Sequence, residues 1–248
     1  MNTKYGFICC GYNCNAWVDQ SMQSMLNQEY KNFKIICIDA QSSDGTYEKL
    51  LSYQTNHPDI VSVHRNTERK YQVENTLTAA KLAEDCDVLV TVDLDDFLAN
   101  SKVLNKLNDI YSDKDVWMTY GSYCHFPYQD VSHLYCDYPE DIKQTGTFKQ
   151  YGRWLSSHLR TFRRQLFLNI QDADLKNDEG KYIDMAGDAA FMYPMLEMAR
   201  ERTRFISDVL YVYNRTNPLS DDRIDIKKQE DVAAKIKLKP INNRIDSL

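Results

Sequence analysis

The sequence predicts an α/β fold, a Rossmann-like, mostly parallel central sheet flanked by helices, and three observations lead there. Short apolar or β-branched runs alternate with segments of helical spacing along the first hundred residues. Three of the apolar runs end in polar or glycine-bearing residues suited to turns. Hydrophobic residues make up 43% of 248, enough for one buried core and too few residues for two comfortable ones.

In chain order, residues 5–10 form an apolar run ending at Gly11, a strand, and 17–26 carry Trp17, Val18, Met22, Met25 and Leu26 at helical spacing. Residues 33–38 read as a second strand, broken at 39–45 and followed by a helix through Tyr47, Leu50 and Leu51. A short strand at 60–64, a helix carrying Val73, Leu77, Ala80 and Leu82, and a buried strand at 87–92 complete the alternation, which implies parallel pairing. Beyond Asp96 the pattern loosens. A helix is expected at 103–110, a strand at 116–120, loops and irregular strands over 121–150, helical or mixed segments at 154–168 and 188–199, and a late strand at 205–213. Residues 1–220 make one domain, and 221–248, where charge dominates, read as an exposed helix or partly disordered tail.

No apolar run approaches the about 20 residues that cross a bilayer, so no transmembrane segment is expected, and the first residues lead directly into a strand. The expected location is cytoplasmic. A net charge of -6 argues against nonspecific nucleic-acid binding, while Arg153, Arg160, Arg163 and Arg164 could form a local basic patch for an anionic partner. Seven scattered cysteines do not suggest a disulfide framework, and Cys10 and Cys14 lack the second pair that a zinc site needs.

Asp93, Asp95 and Asp96 directly follow the buried strand, and strand alternation sends Asp93 and Asp95 to one side with Leu94 opposite. Like charges that close favour a cation, and hard oxygen ligands suit Mg²⁺ or Mn²⁺ completed by phosphate oxygens. The competing reading is a solvated turn in which Asp96 caps a helix over 98–107.

The acidic element resembles the Asp-x-Asp motif of the family 2 glycosyltransferases of GT-A fold. Phe7-Ile8-Cys9-Cys10-Gly11-Tyr12-Asn13 is similar to that family's opening strand. Ser24-Met25-Leu26-Asn27-Gln28-Glu29-Tyr30 resembles its Ser-x-Leu-x-Gln-x-Tyr segment, and Asp39-Ala40-Gln41-Ser42-Ser43-Asp44-Gly45-Thr46 its acidic loop. The resemblance implies a nucleotide-binding half over residues 1–100 and an acceptor-binding half over 101–220. It further implies a nucleotide-sugar donor, by default a UDP-sugar, and a glycan or glycoconjugate acceptor, with Asp95 as the direct metal ligand, Asp93 nearer the ribose and Asp96 third.

On the donor side the resemblance places Cys10, Tyr12 and Asn13 at the nucleotide. Asp39 either accepts hydrogen bonds from base or ribose or organises the turn at 42–45. Ala40 stands where many relatives carry a second Asp, which leaves base recognition open. Arg69 is placed to approach the nucleotide or to start the next helix.

Inverting transfer needs a carboxylate or imidazole to take the acceptor proton. Gly187-Asp188 resembles the family's Glu-Asp motif, which makes Asp188 the candidate base, with a helix cap as its simpler role. His158 and Trp154 are placed on the acceptor side, a histidine contact and a sugar-stacking ring, with structural and core roles as alternatives. The segment 213–218 lacks the histidine often found there, and Arg215 is the candidate positive charge beside the diphosphate. Two other functions stay open. Asp93 and Asp95 also resemble the nucleophile loop of haloacid-dehalogenase-type phosphatases, and a catalytically silent nucleotide-sugar-binding module would keep the same pocket.

Overall fold

The computed structural model describes residues 2–128, 130 and 135–248. Part of the 121–150 stretch expected to be irregular, residues 129 and 131–134, lies outside the described residues. One eight-stranded sheet organises the chain. Its first half is the expected alternation: β1 (Tyr5–Gly11), α1 (Val18–Leu26), β2 (Phe33–Asp39), α2 (Thr46–Asn56), β3 (Val61–Arg65), α3 (Gln72–Leu82) and β4 (Val88–Thr91). These strands pair in parallel in the order β3-β2-β1-β4, so their carboxyl ends share one edge.

The second half keeps most strands parallel but adds two antiparallel ones. It contains β5 (Phe97–Leu98), α4 (Val103–Tyr111), β6 (Met118–Phe126), α5 (Glu140–Thr145), β7 (Thr161–Arg163), α6 (Arg164–Leu168), α7 (Gly187–Ala199) and β8 (Thr203–Asn214). Strand β7 inserts antiparallel between β4 and β6, β8 runs parallel to β6, and β5 closes the edge antiparallel to β8. The sheet is therefore mixed. Three residues of β7 and two of β5 are too short to show a period of two.

Alternation along β1 sends Tyr5, Phe7 and Cys9 into a cluster with Val18, Met22 and Leu50, and Ile8 into a cluster on the other face with Val73, Phe162 and Phe191. Helix α7 is buried on nearly every side, as its uniformly apolar sequence requires. Its contacts with α3 and α6 fix its N-terminus near the carboxyl edge of the sheet.

Residues 221–248 are helical over much of their length and, from residue 223 on, mostly exposed, yet they attach to the core. They form α8 (Asp221–Ile224) and α9 (Ile226–Leu238), and Ile236 is buried in the core against which Val232 and Ala233 also pack. Buried Lys149 pairs with Glu197 at 3.0 Å and donates to the Pro240 carbonyl, while Asn242 donates to the same carboxylate from backbone and side chain. Removing one member of such a pair costs about 3–5 kcal/mol because the other charge stays buried. The Pro240 carbonyl and the Asn242 amide thus tie this segment to a buried ion pair of the core. Among the described residues no helix is long and apolar enough to cross a membrane.

Candidate active site

A cavity of about 540 Å³ opens at the carboxyl edge of the sheet, where loops after β1, β2, β4 and β8 meet the starts of α3 and α7. Cys10, Tyr12, Arg69, Asp93, Asp95, Asp96, His158 and Asp188 all border it, so it gathers most of the residues singled out in the sequence. Leu219, Ser220, Ile224, Asp225, Lys228 and Gln229 also border it, a contribution with no sequence signal because the segment from 221 on reads only as charged.

The acidic turn continues the parallel pairing past the end of β4. Val92 and Leu94 donate backbone N–H groups to Ile8 and Cys10, and the Asp96 N–H closes the turn on the Asp93 carbonyl at 2.9 Å. Gly11 makes this approach possible: a Cβ there would stand 2.8 Å from the Leu94 Cβ. Ser24 and Gln28 brace the segment that follows. The Leu98 N–H donates to Ser24 Oγ, and buried Gln28 donates to the Asn100 carbonyl and accepts from the Leu104 N–H. This bracing is the physical content of the Ser-x-Leu-x-Gln-x-Tyr resemblance.

The three acids differ in environment. Asp96 is 1% exposed, and its two oxygens accept from the Asn214 N–H at 2.7 Å and from Tyr211 Oη at 2.8 Å. It holds β8 to the turn. Helix α4 begins only at Val103, so Asp96 caps no helix. Half-buried Asp95 accepts from Asn217 Nδ2 at 2.7 Å; burial pushes its carboxyl up, and the Asn217 hydrogen bond opposes that shift. Burial, with Asp95 and Asp93 beside it, pushes Asp96 well up. Among the described residues no group of three or more His, Cys, Asp or Glu side chains has metal-holding geometry. Asp93, Asp95 and Asp96 border the cavity as the residues that could hold a cation.

At the cavity wall, Arg69 lies 3.7 Å over the Tyr12 ring and 5.2 Å over Tyr71. Asn13 and Asp39 do not line the cavity. Asn13, with φ at 51°, receives a hydrogen bond from the Ser43 N–H and donates its own N–H to Ser42 Oγ, joining the first two loops. Asp39 is fully buried, accepts from the Ser42 N–H and pairs with Arg65 Nε at 3.3 Å. Of its two expected roles the structure shows the turn-organising one. Burial pushes the Cys10 and Cys14 thiols up, which disfavours thiolate chemistry at the cavity wall.

Asp188 stands in the first turn of α7 and accepts from Arg160 Nη2 at 2.6 Å. Arg160, 4% exposed, also donates Nε–H to the Ser156 carbonyl and lies 3.3 Å from His158 Nδ1. The His158 ring stacks on Tyr211 at 4.4 Å and 10°, and burial together with Arg160 holds its imidazole well below the usual histidine range. The residue preceding α7 is Ala186, which has no side chain to cap the helix, whereas Asp188 Oδ1 accepts from the Ala189 N–H within the first turn at 2.8 Å. Gly187 fits because a Cβ there would meet Gln72 Oε1 at 2.8 Å.

Three expectations move. Trp154 packs edge-on against Tyr193 in the core and does not line the cavity. Arg215 lies near the Tyr213 ring rather than on the cavity wall, and Asn217 reaches the acidic turn instead. The arginine patch disperses: Arg160 is buried, Arg163 donates to Val116 and Asp113 carbonyls, and Arg164 to Ala80. Arg160 and Asn217 are the site residues the sequence did not single out for these roles, since nothing local marks a polar side chain that acts across 28 or 122 residues. A ladder of rings joins β6 and β8, with Tyr123 opposite fully buried Tyr211 and His125 opposite Tyr213.

Comparison with known proteins agrees with this arrangement. The family described as "Glycosyl transferase family 2" matches residues 7–171. An Escherichia coli relative, the UDP-Glc:alpha-D-GlcNAc-diphosphoundecaprenol beta-1,3-glucosyltransferase WfaP, is 27% identical over 116 residues, which cover 47% of this chain and 44% of that protein. The fold is similar to S. aureus TarS 1-349 in complex with UDP-GlcNAc, with a TM-score of 0.68, 15% identity and coverage of 94% of this chain and 65% of that one. It is similar also to the mannosyltransferase PcManGT from Pyrobaculum calidifontis in complex with GDP-Man and Mn²⁺, with a TM-score of 0.62, 16% identity and coverage of 91% and 60%. The matched segments span less than half the length of the curated relatives. A mixed sheet whose carboxyl edge carries the acidic turn is consistent with a GT-A-like Rossmann architecture, and the family match extends over more than half of the sequence. The chain belongs to glycosyl transferase family 2.

Proposed function

We propose that this chain transfers a sugar from a nucleotide-diphosphate sugar, with UDP as the nucleotide, to a hydroxyl of a glycan or glycoconjugate in the cytoplasm, with inversion. The observation that carries the reading is one cavity bordered by Asp93, Asp95 and Asp188 together. UDP-sugar use accords with the glucosyltransferase WfaP and with the UDP-GlcNAc complex of the similar fold. The family match sets aside the phosphatase alternative. A silent binding module differs only in turnover.

In this reading Asp95 and Asp93 hold Mn²⁺ or Mg²⁺, and Asp96 serves the frame. Two carboxylates on a turn fit an ion that keeps water and phosphate oxygens in its shell, and the similar PcManGT structure contains Mn²⁺ with its nucleotide sugar. Such an ion offsets the charge of the departing diphosphate. Arg69 with Tyr12 borders the nucleotide, and Asp188 takes the acceptor proton. The Tyr213 edge, part of the ring ladder and bordering the cavity, suits the apolar face of a saccharide.

Thermal unfolding with UDP, with and without Mn²⁺, tests the donor side: stabilisation that requires the metal is expected, and stabilisation in neither case sinks the reading. UDP release from UDP-glucose, UDP-galactose and UDP-N-acetylglucosamine tests turnover. Asp188→Asn should keep metal-dependent UDP stabilisation and lose about 100- to 10,000-fold in rate. Normal turnover in that variant removes Asp188 as the base.

A further inference from the structure

Between the acidic turn and Asp188 runs an unbroken series of contacts that the family resemblance did not assign. The Asp93 N–H donates to Tyr211 Oη at 3.2 Å, and the same hydroxyl donates to Asp96. Tyr211 stacks on His158, whose Nδ1 faces Arg160 Nη1, and Arg160 Nη2 meets Asp188. Every side chain in the bridge is at least nine-tenths buried: Tyr211 is fully buried, His158 is 7% exposed and Arg160 4%.

We infer that Arg160 is the positioning residue for Asp188, fixing the base relative to the diphosphate-holding turn through His158 and Tyr211. This rests on Asp188 acting as the base. The geometry gives three reasons. A guanidinium is planar, and here its Nε–H is spent on the Ser156 carbonyl, which locks the plane and so aims Nη2. Asp188 has its other oxygen, Oδ1, on the Ala189 N–H at 2.8 Å, so both oxygens have a fixed donor and the carboxylate cannot rotate freely. Finally, a buried arginine is costly to hold unless paired, and Asp188 is the carboxylate that pairs with Arg160 among the described residues. The second lone pair of each Asp188 oxygen remains for the acceptor hydroxyl. Arg160 touches neither reacting atom in this scheme. It acts by holding the base where attack geometry is set, and misplacement by about 1 Å costs roughly 100-fold in rate.

The test uses the full chain with Mn²⁺ and the three UDP-sugars named above, reading UDP release. Arg160→Ala should lower kcat about 100-fold, leave KM for the UDP-sugar within about twofold, and retain the metal-dependent stabilisation by UDP. Guanidinium ion, added well below denaturing concentrations, should restore part of the lost rate in Arg160→Ala and none in Asp188→Asn. Combined with Asp188→Asn, Arg160→Ala should add no further loss. Arg160→Lys, which keeps charge without the fork, should be intermediate, and it carries the test alone if the alanine variant does not fold. Undiminished kcat in Arg160→Ala overturns the inference and leaves the proposed function standing. Loss of UDP stabilisation along with rate also overturns it, because Arg160 would then support the whole pocket. Normal turnover in Asp188→Asn, or no UDP release from any of the three sugars by the unaltered chain, removes the reading beneath it.

Discussion

Asn217 donates its side-chain amide to the Asp95 carboxylate at 2.7 Å, and so ties the loop after β8 to a turn 122 residues earlier in the chain. Asn217 is itself 4% exposed, and its side-chain oxygen accepts from the Leu219 N–H. Both halves of its amide are used, one to hold its own loop and one to hold the acid. Asn217→Leu leaves Asp95 without that donor and should lower stability by about 1 kcal/mol in metal-free buffer, measured by urea denaturation. With Mn²⁺ and UDP present the gap should narrow, since a cation compensates the same carboxylate. An unchanged denaturation midpoint in metal-free buffer contradicts this role for Asn217.

Asp95 and Asp96 are adjacent in sequence and should respond oppositely to the same substitution. In Asp96→Asn an amide replaces a carboxylate that accepts from both Asn214 and Tyr211, so an NH₂ group faces the Tyr211 hydroxyl or the Asn214 N–H and one of these buried donors loses its acceptor. The expected cost is about 1–3 kcal/mol of stability. Asp95→Asn should change stability little and abolish the metal-dependent part of UDP stabilisation. Thermal unfolding of both variants, with and without Mn²⁺ and UDP, separates the roles; a metal-dependent UDP response that survives in Asp95→Asn speaks against Asp95 as ligand.

The parallel half of the sheet was legible because β1, β2 and β4 are buried on both faces, and such strands read as continuous apolar runs such as Val88-Leu89-Val90. Strands β5 and β7 were not, because two or three residues carry no period and their pairing depends on partners more than forty residues away. The acids were legible as a cluster, but their division of labour was not. What makes Asp96 structural is Tyr211 and Asn214, and strand alternation alone treats Asp93 and Asp95 as a matched pair without mentioning either. Asp188 was visible through its Gly-Asp setting, whereas Arg160 read only as one of four nearby arginines. The C-terminal segment reads as charged and solvated, and from residue 223 on most of it is exposed, but composition does not show that Lys228 pairs with Asp184 at the cavity rim or that Lys239 donates to three backbone carbonyls.

Gly11→Ala should disturb the acidic turn without touching any charged group. The added methyl would stand 2.8 Å from Leu94 Cβ, 2.9 Å from its Cδ1 and 3.1 Å from Cys14 Sγ, and Leu94 is the residue between Asp93 and Asp95. Overpacking of this kind costs about 1–3 kcal/mol. Because relief requires Leu94 to move outward, UDP stabilisation in Mn²⁺ should fall together with the melting temperature. A variant that melts like the unaltered chain and binds UDP equally well would show that the contact is slack.

His158 should make the protein less stable in mild acid. Its imidazole is held neutral by burial and by Arg160, with the rings of Tyr211, Tyr213 and Tyr123 as its other neighbours. The unfolded chain binds a proton at this histidine near pH 6.5, whereas the folded chain does so only well below that, so between the two values the unfolded state carries more protons. Stability therefore rises with pH through this window and falls as pH drops below about 6.5. At pH 5.5 the penalty from this one group is about 1.4 kcal/mol. His158→Gln removes the titrating group: it should be less stable than the unaltered chain at pH 7.5, having lost the stack on Tyr211, but should lose about 1.4 kcal/mol less on going to pH 5.5. Urea denaturation of both proteins at the two pH values gives the difference directly, and parallel losses in the two proteins would mean that His158 takes up its proton in the folded state as readily as in the unfolded one.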